Sequence, residues 1–125
     1  MTDHPLRVLV VDDERNIADT LAQIFQLQGF DSRAAYDGSA ALIAAQTFAP
    51  EVLITDVVMP GMSGWDVAME YARLLPTCRV ILFSGYVEMN GSADAENIGN
   101  FEVYTKPVPP RVFISRLRAE SELLH

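Results

Sequence analysis

Asp12, Asp13 and Asp56 are the residues whose types and spacing point most directly to chemistry. Val8-Leu9-Val10-Val11 runs into Asp12-Asp13-Glu14, and Val52-Leu53-Ile54-Thr55 runs into Asp56. Near-continuous apolar runs of this length mark strands covered on both faces, as in parallel sheets between helices. The carboxyl ends of such strands border the crevice where an open α/β sheet binds its ligands. In the strand order 2-1-3-4-5 that crevice separates the first and third strands, so the acids would meet there. At ~5 Å and an effective dielectric of ~20, each pair of ionised carboxylates repels by roughly 3 kcal/mol. The cluster should therefore raise a pKa or recruit a cation. Carboxylate oxygens with retained waters suit Mg2+ better than zinc. Cys78, His4 and His125 are far apart in sequence and show no metal-binding spacing.

The elements that must position these acids alternate along the chain. Ile17, Leu21, Ile24 and Phe25 recur at helical spacing, and Gly29 stands where a helix C′ glycine is expected, which predicts a helix of about 14 residues. A short strand near Ser32 to Ala35 follows. Asp37 then reads as the N-cap of a helix with Ala41, Ala44, Ala45 and Phe48 on one face. Pro50 precedes the third strand. After Asp56 and the loop Met59-Pro60-Gly61-Met62-Ser63-Gly64, Ser63 with Asp66 forms a capping-box pattern. The helix it opens is expected to turn Trp65, Ala68, Met69, Ala72 and Leu75 inward and to close at Pro76. A fourth strand from Arg79 to Phe83 ends at Ser84-Gly85, and a fifth from Phe101 to Thr105 ends at Lys106-Pro107. A last helix starts near Pro110, a favoured first-turn residue. Between Val87 and Asn100 the glycine, asparagine and serine content predicts only a short or mobile helix. The expected fold is α/β: one doubly wound, five-stranded parallel sheet of order 2-1-3-4-5 with helices on both faces, in a single domain over 1–125.

Composition narrows the function classes. At 125 residues and 50% hydrophobic content the chain can bury a core without disulfides or a structural metal. Its one cysteine suggests a reducing compartment, and it shows no apolar leader or span near ~20 residues, so a soluble, cytoplasmic location is expected. A net charge of −8 argues against nucleic-acid binding through this domain. Lys106 is the only lysine beside eight arginines, which makes its place before Pro107 pointed. Plainer roles exist for each residue. Asp12 and Asp13 can cap the first helix, Ser84 can cap the next one, and Trp65 and the methionines read as core. Arg111, Arg116 and Arg118 read as a solvated face, or as a patch for an acidic partner.

Taken together, Asp12-Asp13, Asp37-Gly38, Asp56 with Met59-Pro60 and Gly64, Ser84, and Lys106-Pro107 resemble the receiver domain of two-component response regulators over essentially the whole chain. The resemblance implies a phosphorylation switch rather than a turnover enzyme, with self-catalysed phosphorylation and dephosphorylation at most. Asp56 would take a phosphoryl group from the phosphohistidine of a histidine kinase or phosphotransfer protein, and the remaining residues would position and neutralise it. Asp13, Asp56 and the backbone carbonyl of Val58 would hold Mg2+ directly, with Asp12 acting through a bound water. Lys106 would pair with one phosphoryl oxygen and Ser84 would donate its hydroxyl to another. A downstream protein target or output domain would read the switch, in a stand-alone receiver or in part of a larger regulator or hybrid kinase.

Three departures from the family pattern change the expected output. The usual aromatic three residues before the lysine is Val103, while Tyr104 should face the other side of the strand. Asn100-Phe101 replace a common Gly-Ala pair, and the segment before them is rich in glycine and asparagine. Ordering and disordering of residues 87–100 is therefore the expected response. Val58 and Tyr86, two residues after Asp56 and Ser84, offer water no amide or carboxylate, so a long-lived phosphoryl group is expected. Other classes stay open here: a degenerate receiver serving as a phosphorylation-independent interaction module, or a phosphatase with an aspartyl nucleophile. The phosphatase would need an acid where Val58 stands. A flavodoxin would need a Ser/Thr/Gly-rich phosphate loop after the first strand.

Overall fold

The computed structural model describes residues 4–85 and 101–124. In chain order these form β1 (Arg7–Val11), α1 (Arg15–Leu27), β2 (Asp31–Ala35), α2 (Gly38–Thr47), β3 (Val52–Asp56), α3 (Gly64–Leu74), β4 (Arg79–Ser84), β5 (Phe101–Thr105) and α4 (Pro110–Leu124). The sheet is five-stranded and ordered β2-β1-β3-β4-β5, and every pairing is parallel. The order and class expected from the alternating pattern are therefore observed. The expected weak helix between Val87 and Asn100 falls outside the described residues.

Alternation along the strands builds a core on each face. Leu9, Val11, Leu53, Val80, Leu82 and Phe101 pack with Ala41 and Ala45 of α2 and Val67, Ala68 and Tyr71 of α3. Val8, Val10, Val52, Ile54, Ile81 and Phe83 pack with Ala18, Leu21 and Phe25 of α1 and Phe113 and Leu117 of α4. All residues of β3 are buried, which is why that strand reads as one apolar run. Each buried valine, leucine, isoleucine or phenylalanine of these cores contributes roughly 1.5–3 kcal/mol on burial. Gly29 lies just beyond the α1 C-cap at φ 98°, a backbone conformation that glycine adopts at little cost. The Asp37 carboxylate accepts from Ala40 N and caps α2, and Ser63 and Asp66 close the expected capping box at α3.

The inward face of α3 differs from expectation. Gly64, Val67, Ala68 and Tyr71 are buried, whereas Met69 is 51% exposed, Ala72 is exposed, and Trp65 and Leu75 are half-buried. The phase of this helix is set at its first residue. A Cβ on Gly64 would lie 2.1 Å from the Asp56 carbonyl oxygen, so only glycine lets the helix start so close to β3. The phenol of Tyr71, fully buried, donates to Ala41 O at 2.6 Å.

Of the α4 arginines expected on a solvated face, Arg111 and Arg118 are exposed, whereas Arg116 is half-buried. Arg116 Nε donates to both carboxylate oxygens of Glu102 at 2.8 and 3.0 Å, and its Nη2 donates to Glu120 Oε1 at 2.8 Å. Arg79 Nε lies 3.2 Å from the same oxygen of buried Glu120. These four charges clasp α4 to β4 and β5. Arg118, although exposed, donates to Gln28 Oε1 at 2.5 Å and lies 5.8 Å from the ring centroid of Phe30. Arg111 is exposed as well, with no partner among the described residues.

Candidate functional site

The parallel sheet sends β1, β3, β4 and β5 to one edge, and each delivers a polar residue there. Asp12 follows β1, Asp56 ends β3, Ser84 ends β4 and Lys106 follows β5. Asp12, Asp13 and Asp56 each present a carboxylate oxygen, and these atoms lie within 4.8 Å of one another. Asp12 is fully buried and Asp56 is 6% exposed, while Asp13 faces solvent. The acids predicted to meet across the β1/β3 crevice do so.

Asp12 does not cap α1. Its Oδ1 accepts from Glu14 N at 2.9 Å, and Glu14 occupies the N-cap position without a side-chain cap bond. Asp12 Oδ2 is buried and has no hydrogen-bond partner among the described residues. Burial pushes the Asp12 carboxyl up to about 6, and the Asp56 and Asp13 charges add to the effect. Burial also raises Asp56, opposed first by Lys106 and then by the backbone N–H groups of Val58 and Val57.

Lys106 Nζ lies 3.3 Å from Asp56 Oδ1. Its backbone N donates to Ser84 O at 2.7 Å, and its peptide bond to Pro107 is cis. Ser84 is fully buried, and its Oγ has no hydrogen-bond partner among the described residues. Val58 is 54% exposed beside the acids, as its place in the loop after β3 requires, while Tyr86 lies outside the described residues. Val103 packs toward the α2/α3 core and Tyr104 toward the α1/α4 core, which is the opposite-face placement expected from strand alternation. Sequence reasoning missed Phe83, whose ring centroid lies 5.2 Å from Lys106 Nζ. An apolar residue inside an apolar strand gives no chemical signal by itself.

The set is all oxygen plus one ammonium. A negative cluster holding an unpartnered carboxylate oxygen suits a small hard cation, and a buried hydroxyl and a movable lysine suit an incoming anion.

The parallel 2-1-3-4-5 sheet is that of the CheY-like fold, and the acids lie at the carboxyl edge of its central strands. Residues 8–118 match the family model described as "Response regulator receiver domain", and the chain belongs to that family, the receivers of two-component phosphorelays. It is 33% identical over 115 residues to "Probable transcriptional regulatory protein TcrX" of Mycobacterium tuberculosis, covering 92% of this chain and 49% of that protein. It is 35% identical over 101 residues to "Regulatory protein AtoC" of Escherichia coli, covering 81% of this chain and 22% of that protein. The chain thus spans half or less of these curated relatives. Among solved structures, a response regulator receiver domain protein from Clostridium thermocellum superimposes with a TM-score of 0.83 at 26% identity, covering 96% of this chain and 99% of that one. A two-component transcriptional regulator from Clostridium phytofermentans gives 0.80 at 33% identity, with 91% of each chain covered.

Proposed function

We propose that residues 1–125 act as one receiver domain in which Asp56 accepts a phosphoryl group from the phosphohistidine of a histidine kinase or phosphotransfer protein. A carboxylate oxygen of Asp56 attacks phosphorus as the bond from phosphorus to the imidazole nitrogen breaks, and the imidazole nitrogen keeps that electron pair. Asp13, Asp56 and the Val58 carbonyl would hold Mg2+, with Asp12 reaching it through water; the ion would offset charge on the phosphoryl oxygens. Lys106 leaves Asp56 Oδ1 for a phosphoryl oxygen, and Ser84 Oγ donates to another. The group that forms is an aspartyl phosphate whose loss restores the acid. This is a switch with self-catalysed steps, not a turnover enzyme.

One observation carries the reading: the lysine ammonium lies 3.3 Å from Asp56, the acid at the end of fully buried β3. The partners that fit are a phosphohistidine donor upstream and a protein target or output domain downstream, in the cytoplasm. Among the described residues no helix is long and apolar enough to cross a membrane, and the net charge of −8 disfavours nucleic acid here. Acetyl phosphate with Mg2+ should add one phosphoryl mass to the protein and none to Asp56→Asn. Undiminished labelling of that variant would remove the assignment.

A further inference from the structure

We propose that Phe83 is a positioning residue for this chemistry, its ring steering the Lys106 ammonium onto the Asp56 carboxylate. The inference rests on the reading of Asp56 as acceptor. In the β3/β4 register Phe83 pairs with Asp56, so ring and carboxylate stand at one level of the sheet. The Lys106 backbone is tied to the neighbouring Ser84 carbonyl at 2.7 Å. From there the side chain reaches two sites: Asp56 Oδ1 at 3.3 Å and the Phe83 ring, whose centroid is 5.2 Å from Nζ. That distance lies within the range at which a ring attracts a cation through its quadrupole.

A four-carbon lysine stem is flexible, and this one is 37% exposed, so a single ion pair open to water fixes it poorly. A second contact restricts the directions open to the ammonium. The ring can serve because it is itself fixed. Phe83 is 4% exposed and packs edge-on against Phe113 at 5.8 Å, which in turn packs against Phe25 at 6.3 Å. The ring also attracts without carrying charge. An acid here would add to the repulsion among Asp12, Asp13 and Asp56 and would hold the ammonium away from an arriving phosphoryl oxygen. A ring guides the ammonium and then releases it.

The chain has a single lysine, which makes a direct test available. In protein labelled with 13C-lysine, one ε-methylene signal reports on Lys106. Ring current from Phe83 should move its protons upfield of their position in the unfolded chain. Phe83→Leu should lose most of that displacement and slow uptake from acetyl phosphate at saturating Mg2+ about three- to fivefold. Its Mg2+ affinity should stay within about twofold. Phe83→Tyr keeps the ring and should restore both signal and rate, whereas Phe83→Met, close to the ring in volume but without its π face, should restore neither, which a purely space-filling role would not require. If circular dichroism shows Phe83→Leu unfolded, Phe83→Met, closer to the ring in volume, carries the same expectations. An undisplaced lysine signal in the unsubstituted protein, or ring-free folded variants that label at its rate, would overturn the proposal. A protein that takes up no phosphoryl group at all would instead sink the Asp56 reading, and the lysine signal would still decide the Phe83 contact.

Discussion

Asp12 carries the greatest electrostatic tension of any single side chain in the site. It is fully buried, spends one oxygen on the Glu14 amide, leaves the other unpartnered, and is pushed up to about 6 by burial first and by its acidic neighbours next. Removing its charge should therefore help the metal-free protein and harm the metal-bound one. Asp12→Asn is expected to raise the melting temperature in EDTA by several degrees, on the order of 1–2 kcal/mol. The same substitution should remove most of the further rise that Mg2+ gives the unsubstituted protein by preferential binding to the native state. A variant that melts lower in EDTA yet keeps the full Mg2+ rise would show that the acids neither repel nor share an ion. The acids themselves were readable from sequence, because an apolar strand ending in aspartate locates charge at a sheet edge. The use of Asp12 Oδ1 was not, since its bond to the Glu14 amide depends on where the backbone turns before α1. Phe83 was hidden for a different reason: its value lies in a ring face, and only the β3/β4 register and the path of Lys106 reveal what stands before that face.

At the level of elements, the start of α3 connects fold to chemistry. Gly64 N donates to Val57 O at 2.8 Å, and a Cβ there would run into the Asp56 carbonyl. Gly64→Ala must push α3 or the loop carrying Val58 aside, at a cost of roughly 2–4 kcal/mol, and uptake of phosphate should fall with the displaced carbonyls. Ser63→Ala is the contrast. It removes one cap bond of the same helix, worth ~1 kcal/mol, and should leave uptake within about twofold. Denaturant midpoints and labelling rates on the two variants check both parts, and equal effects on uptake would mean that the close approach at Gly64 is not what holds the site. Boundaries of the elements were legible because Gly29, Asp37, Ser63 with Asp66 and Pro110 each carry a local stop or start signal. The phase of α3 was not. Trp65 and Met69 dominate any count of apolar residues, whereas the contact that fixes the helix is made by the residue with no side chain.

The whole molecule keeps its neutral acids deep. Burial raises the Cys78 thiol to about 12 from its ordinary 9.0, and burial raises the Tyr71 phenol as well. Above pH ~9 the unfolded chain therefore releases protons that the native chain retains, and stability must fall as pH rises. The urea midpoint should decline steadily from about pH 9 to 11, and Cys78→Ala should flatten part of that decline. A midpoint level across this range would contradict the burial of both groups. Fold class was readable at this scale because a doubly covered sheet imprints apolar runs and helical periods on the chain. The clasp of Arg79, Glu102, Arg116 and Glu120 was not, because charged residues on an outer helix look solvated until a distant strand is placed beside them. Arg79 opens β4 and Ser84 closes it, and Glu102 lies level with Ile81, so at ~3.3 Å per residue the clasp stands roughly 10 to 17 Å from the acidic centre. The clasp sums to zero formal charge, two arginines against two glutamates, and over that span it exerts little field on the acids. Inheritance can therefore adjust reactivity at one tip of a strand and durability at the other, each without revisiting what selection has settled at the opposite end.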